Sequence, residues 1–258
     1  MIKAVFIDID GTLVSVNTHR ISDIVIEALY KAKDNGVKLF ICSGRPIHLI
    51  NNLRGFPFDG IITMNGALVY MNGETIDRHP IKKNEAIELA TICERENISL
   101  YAATEKTDRI NFYNDRAKDI YRLLNLPHTQ EADIIKLANE EPIYQFTVFA
   151  TKEEEKRFFS KTIKDACYPR WHPMFTDMIH KDVSKGKALE NVCSILGISI
   201  EDSMAIGDGG NDISMLQKAG IGVAMGNAVD EVKAEADFVT RSVDEDGIAY
   251  ALENYEVI

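Results

Sequence analysis

The sequence predicts an α/β protein: a doubly wound parallel sheet interrupted by an inserted α+β unit. Three observations lead there. Short runs rich in Val, Ile and Phe alternate with amphipathic helical stretches at both ends of the chain, the pattern of a parallel sheet covered on both faces. Between them, from about Asn84 to Asp182, the chain turns more polar and aromatic, and its strands partly alternate as in a sheet with one solvated face. The length, 258 residues, suits one large domain or two small ones at about 150 residues each.

The elements follow in order. Lys3 to Asp8 reads as a strand buried on both faces. After a Gly-containing loop, Ser22 is placed to cap a helix from about Asp23 to Asn35. Val25, Ala28, Leu29 and Ala32 share its apolar face, and Gly36 ends it. Val37 to Cys42 is a second buried strand, followed by Ser43-Gly44-Arg45-Pro46 and a further helical stretch. Asn65-Gly66 and Asn72-Gly73 are turn dipeptides flanking Ala67 to Met71, which reads as a hairpin.

The insert is expected to hold a helix at 84–96, strands near 99–104 and 109–113, and a helix near 114–124. A strand from Ile143 to Ala150, a charged helix near 152–166 and two short strands near 168–180 complete it. From Ser184 the alternation returns: helix 185–197, strand 203–206, helix 211–219, strand 221–224, helix 227–235, strand 237–240. The reading is a discontinuous core, 1–82 with 181–258, and an inserted cap domain, 83–180.

Apolar residues make up 45% and charged residues 27%, ordinary globular usage that excludes disorder and collagen-like repeats. With 40 acidic against 29 basic residues the net charge is −11, so neither nucleic acid nor an anionic membrane is an expected partner. No stretch approaches the ~18 apolar residues of a membrane helix. The apolar start meets Asp8 too soon for a signal-peptide core. Cys42, Cys93, Cys167 and Cys193 lie far apart without a C-x-x-C pair and read as reduced thiols. The expected location is the cytoplasm.

Four segments carry chemistry. Asp8-Ile9-Asp10-Gly11-Thr12 closes the first strand, and residues i and i+2 of a strand project together, so Asp8 and Asp10 are expected side by side. In open α/β sheets ligands bind at such strand ends. Gly207-Asp208-Gly209-Gly210-Asn211-Asp212 follows a second buried strand and opens a helix. Acidic residues at two strand ends make an oxygen-rich site suited to Mg²⁺, although each segment alone also reads as a helix-capping loop. Ser43-Gly44-Arg45 offers a hydroxyl and free amides to phosphate, or else a plain cap. Ser184-Lys185-Gly186-Lys187 heads a helix, where a Lys opposes the helix dipole. Either Lys185 or Lys187 could therefore be aimed at a ligand, with a solvated lysine as the alternative.

Together these segments resemble the haloacid-dehalogenase-like hydrolase superfamily. DIDGT at 8–12, CSGR at 42–45, SKG at 184–186 and GDGGND at 207–212 match its four motifs in order and spacing. The insertion between the second and third is similar to the α/β cap of the IIB subclass, typical of Cof-type phosphatases. One departure is His180, where relatives often carry a Pro or a small residue.

The resemblance implies a Rossmann-like core and a set of roles. Asp8 would be the nucleophile that forms an aspartyl-phosphate. Asp10 would protonate the leaving oxygen and then activate water. Mg²⁺ would be held by Asp8, the Asp10 backbone carbonyl and Asp208, with Asp212 in support. Ser43, the Gly44 and Ile9 amides, Lys185 and Asn211 would clamp the phosphoryl oxygens. Lys185 is preferred to Lys187 because it precedes Gly as in the family pattern. Trp171, His172, Asp177 and His180, on the last cap strands, would choose the leaving group, and Asn65 and Gly66 would line the pocket. Cys42 reads as a buried strand residue.

The expected protein is thus a Mg²⁺-dependent phosphoric monoester hydrolase acting on a small phosphorylated metabolite, a sugar phosphate first. The alternatives are a phosphosugar mutase, a disaccharide-phosphate phosphatase, and a phosphometabolite sensor without turnover. Oligomeric state stays open.

Overall fold

A computed structural model of the chain describes residues 1–124, 126–170 and 172–258. They form two compact units, Met1–Arg78 with Ser184–Ile258, and His79–Val183. The joints lie at Arg78/His79 and Val183/Ser184, where the sequence reading put them at 82/83 and 180/181.

The first unit opens with β1 (Ala4–Ile7), α1 (Asp23–Asp34), β2 (Lys38–Cys42), β3 (Gly60–Thr63), β4 (Leu68–Met71) and β5 (Glu74–Arg78). The insert contributes α2 (Lys83–Arg95), β6 (Leu100–Ala103), β7 (Asp108–Ile110), α3 (Asp115–Leu123) and α4 (Ile134–Glu140). It continues with β8 (Gln145–Val148), α5 (Lys152–Phe158), β9 (Ala166–Cys167) and β10 (Thr176–His180). The chain then returns to the first unit with α6 (Lys185–Leu196), β11 (Ser203–Gly207), α7 (Ile213–Lys218) and β12 (Ile221–Ala224). It closes with α8 (Asp230–Ala234), β13 (Phe238–Val239) and α9 (Gly247–Asn254).

Among the described residues the first unit builds one sheet in the order β13-β12-β11-β1-β2-β3-β4-β5. It is parallel from β13 to β3, and β4 and β5 add an antiparallel edge. The two-residue period sorts its core. Val5, Ile7, Leu39, Ile41, Met204 and Ile206 face α1 and α9, whose Val25, Leu29, Ile248 and Leu252 complete one apolar layer. Ala4, Phe6, Phe40 and Ala205 face α6 and α7 through Leu189, Val192, Met215 and Leu216. Helices on both faces make the sheet doubly wound, as the strand composition requires. Ser22 accepts from the Val25 amide and starts α1, and Ser184 does the same for α6 through the Lys187 amide.

The insert forms an antiparallel sheet, β7-β6-β8-β10-β9. Leu100, Ala102, Phe146, Val148 and Met178 bury one face against α2 and α4. The opposite face carries Tyr101, Thr147 and Asp177 in register.

Several elements depart from the sequence reading. The helix expected after Pro46 is one 3₁₀ turn, Ile47–Leu49, because Asn51-Asn52 and Gly55-Phe56-Pro57 offer no continuing apolar face. The charged helix ends at Phe158 instead of 166. Two helices went unread. α4 is short, seated by an Asp133 cap on the Lys136 amide, and α9 starts from a left-handed Asp246 that no cap rule marks.

Candidate active site

The site is built at the carboxyl ends of β1, β2 and β11, where a parallel sheet leaves its amides and loops open to a ligand. Asp8 directly follows β1, and its amide donates to the Ile206 carbonyl at 3.0 Å, tying it to β11. Gly11 then turns the chain with φ of 81°. A Cβ there would stand 2.3 Å from Asp208 Oδ2, so the DIDGT loop can approach β11 only with glycine at this place.

Asp8, Asp208 and Asp212 each bring a carboxylate oxygen within 4.8 Å of the others. Lys185 enters this group from the first turn of α6, almost fully buried, with Nζ 2.6 Å from Asp8 Oδ1 and 2.5 Å from Asp212 Oδ1. Its burial at a helix start, where a cation is unfavourable, is explained by these two carboxylates. Lys187 is exposed. The second oxygen of Asp212 accepts from the Asp208 and Gly209 amides at 3.0 and 2.9 Å. Asp212 is thereby a bracket that shapes the Gly-rich turn. Asp208 accepts from Thr12 Oγ1 at 2.8 Å and from Asn227 Nδ2 at 3.3 Å.

Electrostatics follow from the geometry. Burial and the Asp212 carboxylate, opposed by Lys185, lift the Asp8 carboxyl well above the usual range. Burial, countered by the Thr12 hydrogen bond and reinforced by Asp212, lifts Asp208 to about 6. Burial pushes the Lys185 ammonium down, but Asp212 and Asp8 outweigh it and hold it above its usual range. One ammonium among three carboxylates leaves the group two charges negative when all are ionised. That is the chemistry of a divalent-cation site built from oxygen donors, so the residues present fit a metal such as Mg²⁺.

Asp10 has a partner of its own, although its charge also acts on Asp208. β1 ends at Ile7, so the direction of Asp10 is set by the loop and not by strand periodicity. Its half-exposed carboxylate is held by Arg45, whose Nε donates to Oδ2 at 2.8 Å and whose Nη2 donates to Oδ1. Arg45 Nη1 also donates to the Leu49 carbonyl. Ser43 is buried, and its Oγ accepts from the Arg45 amide at 3.1 Å. Gly44 packs beside the Asn65 carboxamide, and Asn211 Nδ2 donates to Asn65 Oδ1 at 2.9 Å. Ile9 is fully buried, its carbonyl accepting from Leu13 and Val14. Cys42 is buried too, and burial pushes its thiol up, away from nucleophilic use.

Among the described insert residues of the sequence reading, each has local partners. Asp177, buried, accepts from Thr147 Oγ1 at 2.8 Å. His180 Nδ1 accepts from the Asp182 amide, while His172 Nδ1 accepts from the Met174 amide and its ring stacks on Phe175. Both rings thus serve as turn braces in this structure, whatever else they contact. Trp171 lies outside the described residues.

Three contributors carried no role in the sequence reading: Thr12, Arg45 and Asn227. Thr12 and Arg45 sit inside quoted motifs. Asn227 lies in no motif, yet its Nδ2 also donates to the Gly11 carbonyl at 2.8 Å, linking the DIDGT loop to the loop after β12. Its signal was positional, a loop at the carboxyl end of a parallel strand.

Residues 5–252 match the haloacid dehalogenase-like hydrolase family. The chain is 40% identical to the solved structure of the subclass IIB sugar phosphatase BT4131, with a TM-score of 0.91 over 99% of this chain and 100% of that one. It is 32% identical to the phosphatase BT1666 from Bacteroides thetaiotaomicron, with a TM-score of 0.94 over 100% and 96%. It is also 30% identical to the 5-amino-6-(5-phospho-D-ribitylamino)uracil phosphatase YcsE of Bacillus subtilis, over 98% of this chain and 96% of that protein. With the buried Lys185 among three strand-end carboxylates, these likenesses place the chain in the haloacid dehalogenase-like hydrolase family, among its phosphatases.

Proposed function

We propose that this protein is a Mg²⁺-dependent phosphatase of small phosphorylated metabolites, sugar phosphates first, working through an aspartyl-phosphate on Asp8. The observation that carries the reading is Lys185, buried between Asp8 and Asp212 at the strand ends beside Asp208. A buried cation at a helix start is an unfavourable place for an ion pair that serves structure alone. A phosphoryl group does need a cation there, since its oxygens require one beside an anionic nucleophile. The likeness to named phosphatases supports the same class.

Asp8 attacks phosphorus, and the bond to the leaving oxygen breaks as Asp10 supplies that oxygen with a proton. Asp10 then takes a proton from the water that attacks the phosphoaspartate, which returns Asp8 to its carboxylate. Arg45 has to release Asp10 before either transfer. Lys185, Ser43, Asn211 and the Ile9 and Gly44 amides hold the phosphoryl oxygens. Asp8, Asp208 and the Asp10 carbonyl would hold Mg²⁺, with Asp212 supporting; the ion when bound neutralises the charge that otherwise keeps two anions apart. Choice of leaving group is assigned to Asp177, His180, His172 and Trp171.

The test is a panel of phosphorylated metabolites assayed for free phosphate with Mg²⁺ and with EDTA. Release from pentose or hexose phosphates, lost in EDTA, is the expected result. Conversion without release would make the enzyme a mutase, and no turnover of any ester would leave a sensor.

Metal binding has a direct readout in stability. Mg²⁺ at 100 times its dissociation constant should raise stability by about 2.7 kcal/mol. The gain should be smaller at pH 5.5 than at 7.5, because Asp208, lifted to about 6, must lose its proton to bind the ion. Calorimetric melts at both pH values, with and without Mg²⁺, check this; equal gains would remove Asp208 from the ligands.

Asp177→Asn keeps the side-chain shape and removes the charge that accepts from Thr147. It should change kcat/KM unequally among sugar phosphates, by roughly tenfold for some, and leave a small generic ester nearly unchanged. Equal losses on all substrates would make Asp177 a structural residue.

A further inference from the structure

A turn of three left-handed residues touches three of the segments that are to hold phosphate, those of Ser43, Lys185 and Asn211. Met64, Asn65 and Gly66 have φ of 49°, 58° and 106°. Asn and Gly enter this region readily, but Met has no side-chain compensation for it, and such backbone persists only where its surroundings impose it. Here the surroundings are the site itself. The Met64 amide donates to the Arg45 carbonyl at 3.2 Å and the Asn65 amide to the Ser43 carbonyl at 3.0 Å. Asn65 Oδ1 accepts from Asn211 at 2.9 Å. A Cβ at Gly66 would meet the Ser184 carbonyl oxygen at 2.5 Å, so only glycine lets the turn lie against the residue before Lys185. All three turn residues are buried.

We infer that Met64–Gly66 is the positioning element of the phosphate site, and that Asn65 sets the orientation of the Asn211 carboxamide. A primary amide carries two N–H donors fixed in one plane. Holding one of them on Asn65 fixes the plane, and with it the direction in which the other can meet a phosphoryl oxygen. An oriented donor need not be ordered when the anion arrives, which is where preorganised sites gain their affinity. The left-handed backbone is what points the Asn65 side chain at Asn211 while its own amide holds Ser43. One short turn thus sets the relative positions of Ser43, Lys185 and Asn211, which come from three distant parts of the chain. Asn65 does not itself have to touch the phosphate. The inference rests on the reading of Asn211 as a phosphate donor.

The test uses the full-length protein with Mg²⁺ and inorganic phosphate as the probe, its dissociation constant read by calorimetry beside a thermal melt. Glycine accepts φ of 58° freely, so Asn65→Gly keeps the backbone of the turn and should fold, at a modest cost in Tm, while removing the carboxamide that holds Asn211. Phosphate should bind about tenfold more weakly, comparable to Asn211→Ala. The two losses should not add, because each variant removes the same oriented donor. In Asn65→Gly the Asn211 side-chain amide should also become mobile by NMR relaxation. Wild-type phosphate affinity in Asn65→Gly, or losses that add, would overturn the inference and leave the phosphate-site reading standing. Wild-type affinity in Asn211→Ala would remove that reading of Asn211, and the inference with it.

Discussion

Asp8→Asn should lower kcat by about 10,000-fold on every substrate and yet leave a protein at least as stable as the wild type. The loss follows from chemistry, because a carboxamide is a poor nucleophile for phosphorus and a poor ligand for a divalent cation. The stability gain follows from the site's charge. Asp8 is buried in a group that holds three carboxylates against one ammonium, and burial lifts its carboxyl well above the usual range. A carboxyl whose folded value is raised adds stability below its unfolded value of 3.8 and loses that advantage as pH rises through the folded value. At neutral pH Asp8 therefore costs stability, and the neutral amide removes the cost while Asp212 still accepts from Lys185. A burst-free assay and a melt at pH 7.5 without metal check both halves. Retention of a few per cent of wild-type kcat would end the nucleophile assignment, and a lower Tm would show that Asp8 is held for structure.

The two halves of that prediction were not equally legible in the sequence. The strand ends were, because Val5-Phe6-Ile7 and Met204-Ala205-Ile206 are short apolar runs that only a sheet covered on both faces can bury, and an acidic residue follows each within two positions. Lys185 was legible through its misfit, a cation where the helix dipole disfavours one. The Asp10–Arg45 pair was not. Strand periodicity says where Asp10 would point only while the strand lasts, and β1 stops at Ile7. Asn227 and the left-handed Met64–Gly66 turn were hidden for a different reason. Each is fixed by neighbours remote in sequence, Gly11 and Asp208 in one case and Ser43, Arg45 and Asn211 in the other. Local pattern carries the elements, and tertiary contact alone carries the loops that join the motifs.

Lys185→Met gives the second large effect, and it runs opposite to Asp8→Asn. Methionine matches the length of the lysine stem, so packing in the first turn of α6 is nearly kept while the charge is removed. Asp8 and Asp212 then face each other and Asp208 with no cation between them. Removing one partner of a buried ion pair costs about 3–5 kcal/mol. At about 2–4 °C per kcal/mol for a unit of this size, Tm should fall by roughly 10 °C at pH 7.5 without metal. The deficit should shrink as pH falls. Lys185 is held above its usual range, so its own contribution is constant at all pH values below its unfolded value of 10.5. The carboxylates are what respond, because without the ammonium each gains more by taking up a proton, and the variant recovers stability as pH approaches 5. Mg²⁺ should recover part of it at pH 7.5, since a divalent cation in the same oxygen group supplies the missing charge. Turnover should stay depressed by about 100- to 1,000-fold even with Mg²⁺ saturating, because the cation that faced both nucleophile and phosphoryl oxygens is gone. Melts at pH 5.5 and 7.5 with and without Mg²⁺ separate the causes. A deficit independent of both pH and Mg²⁺ would mean that Lys185 acts through packing, and the electrostatic account of the site would fall with it.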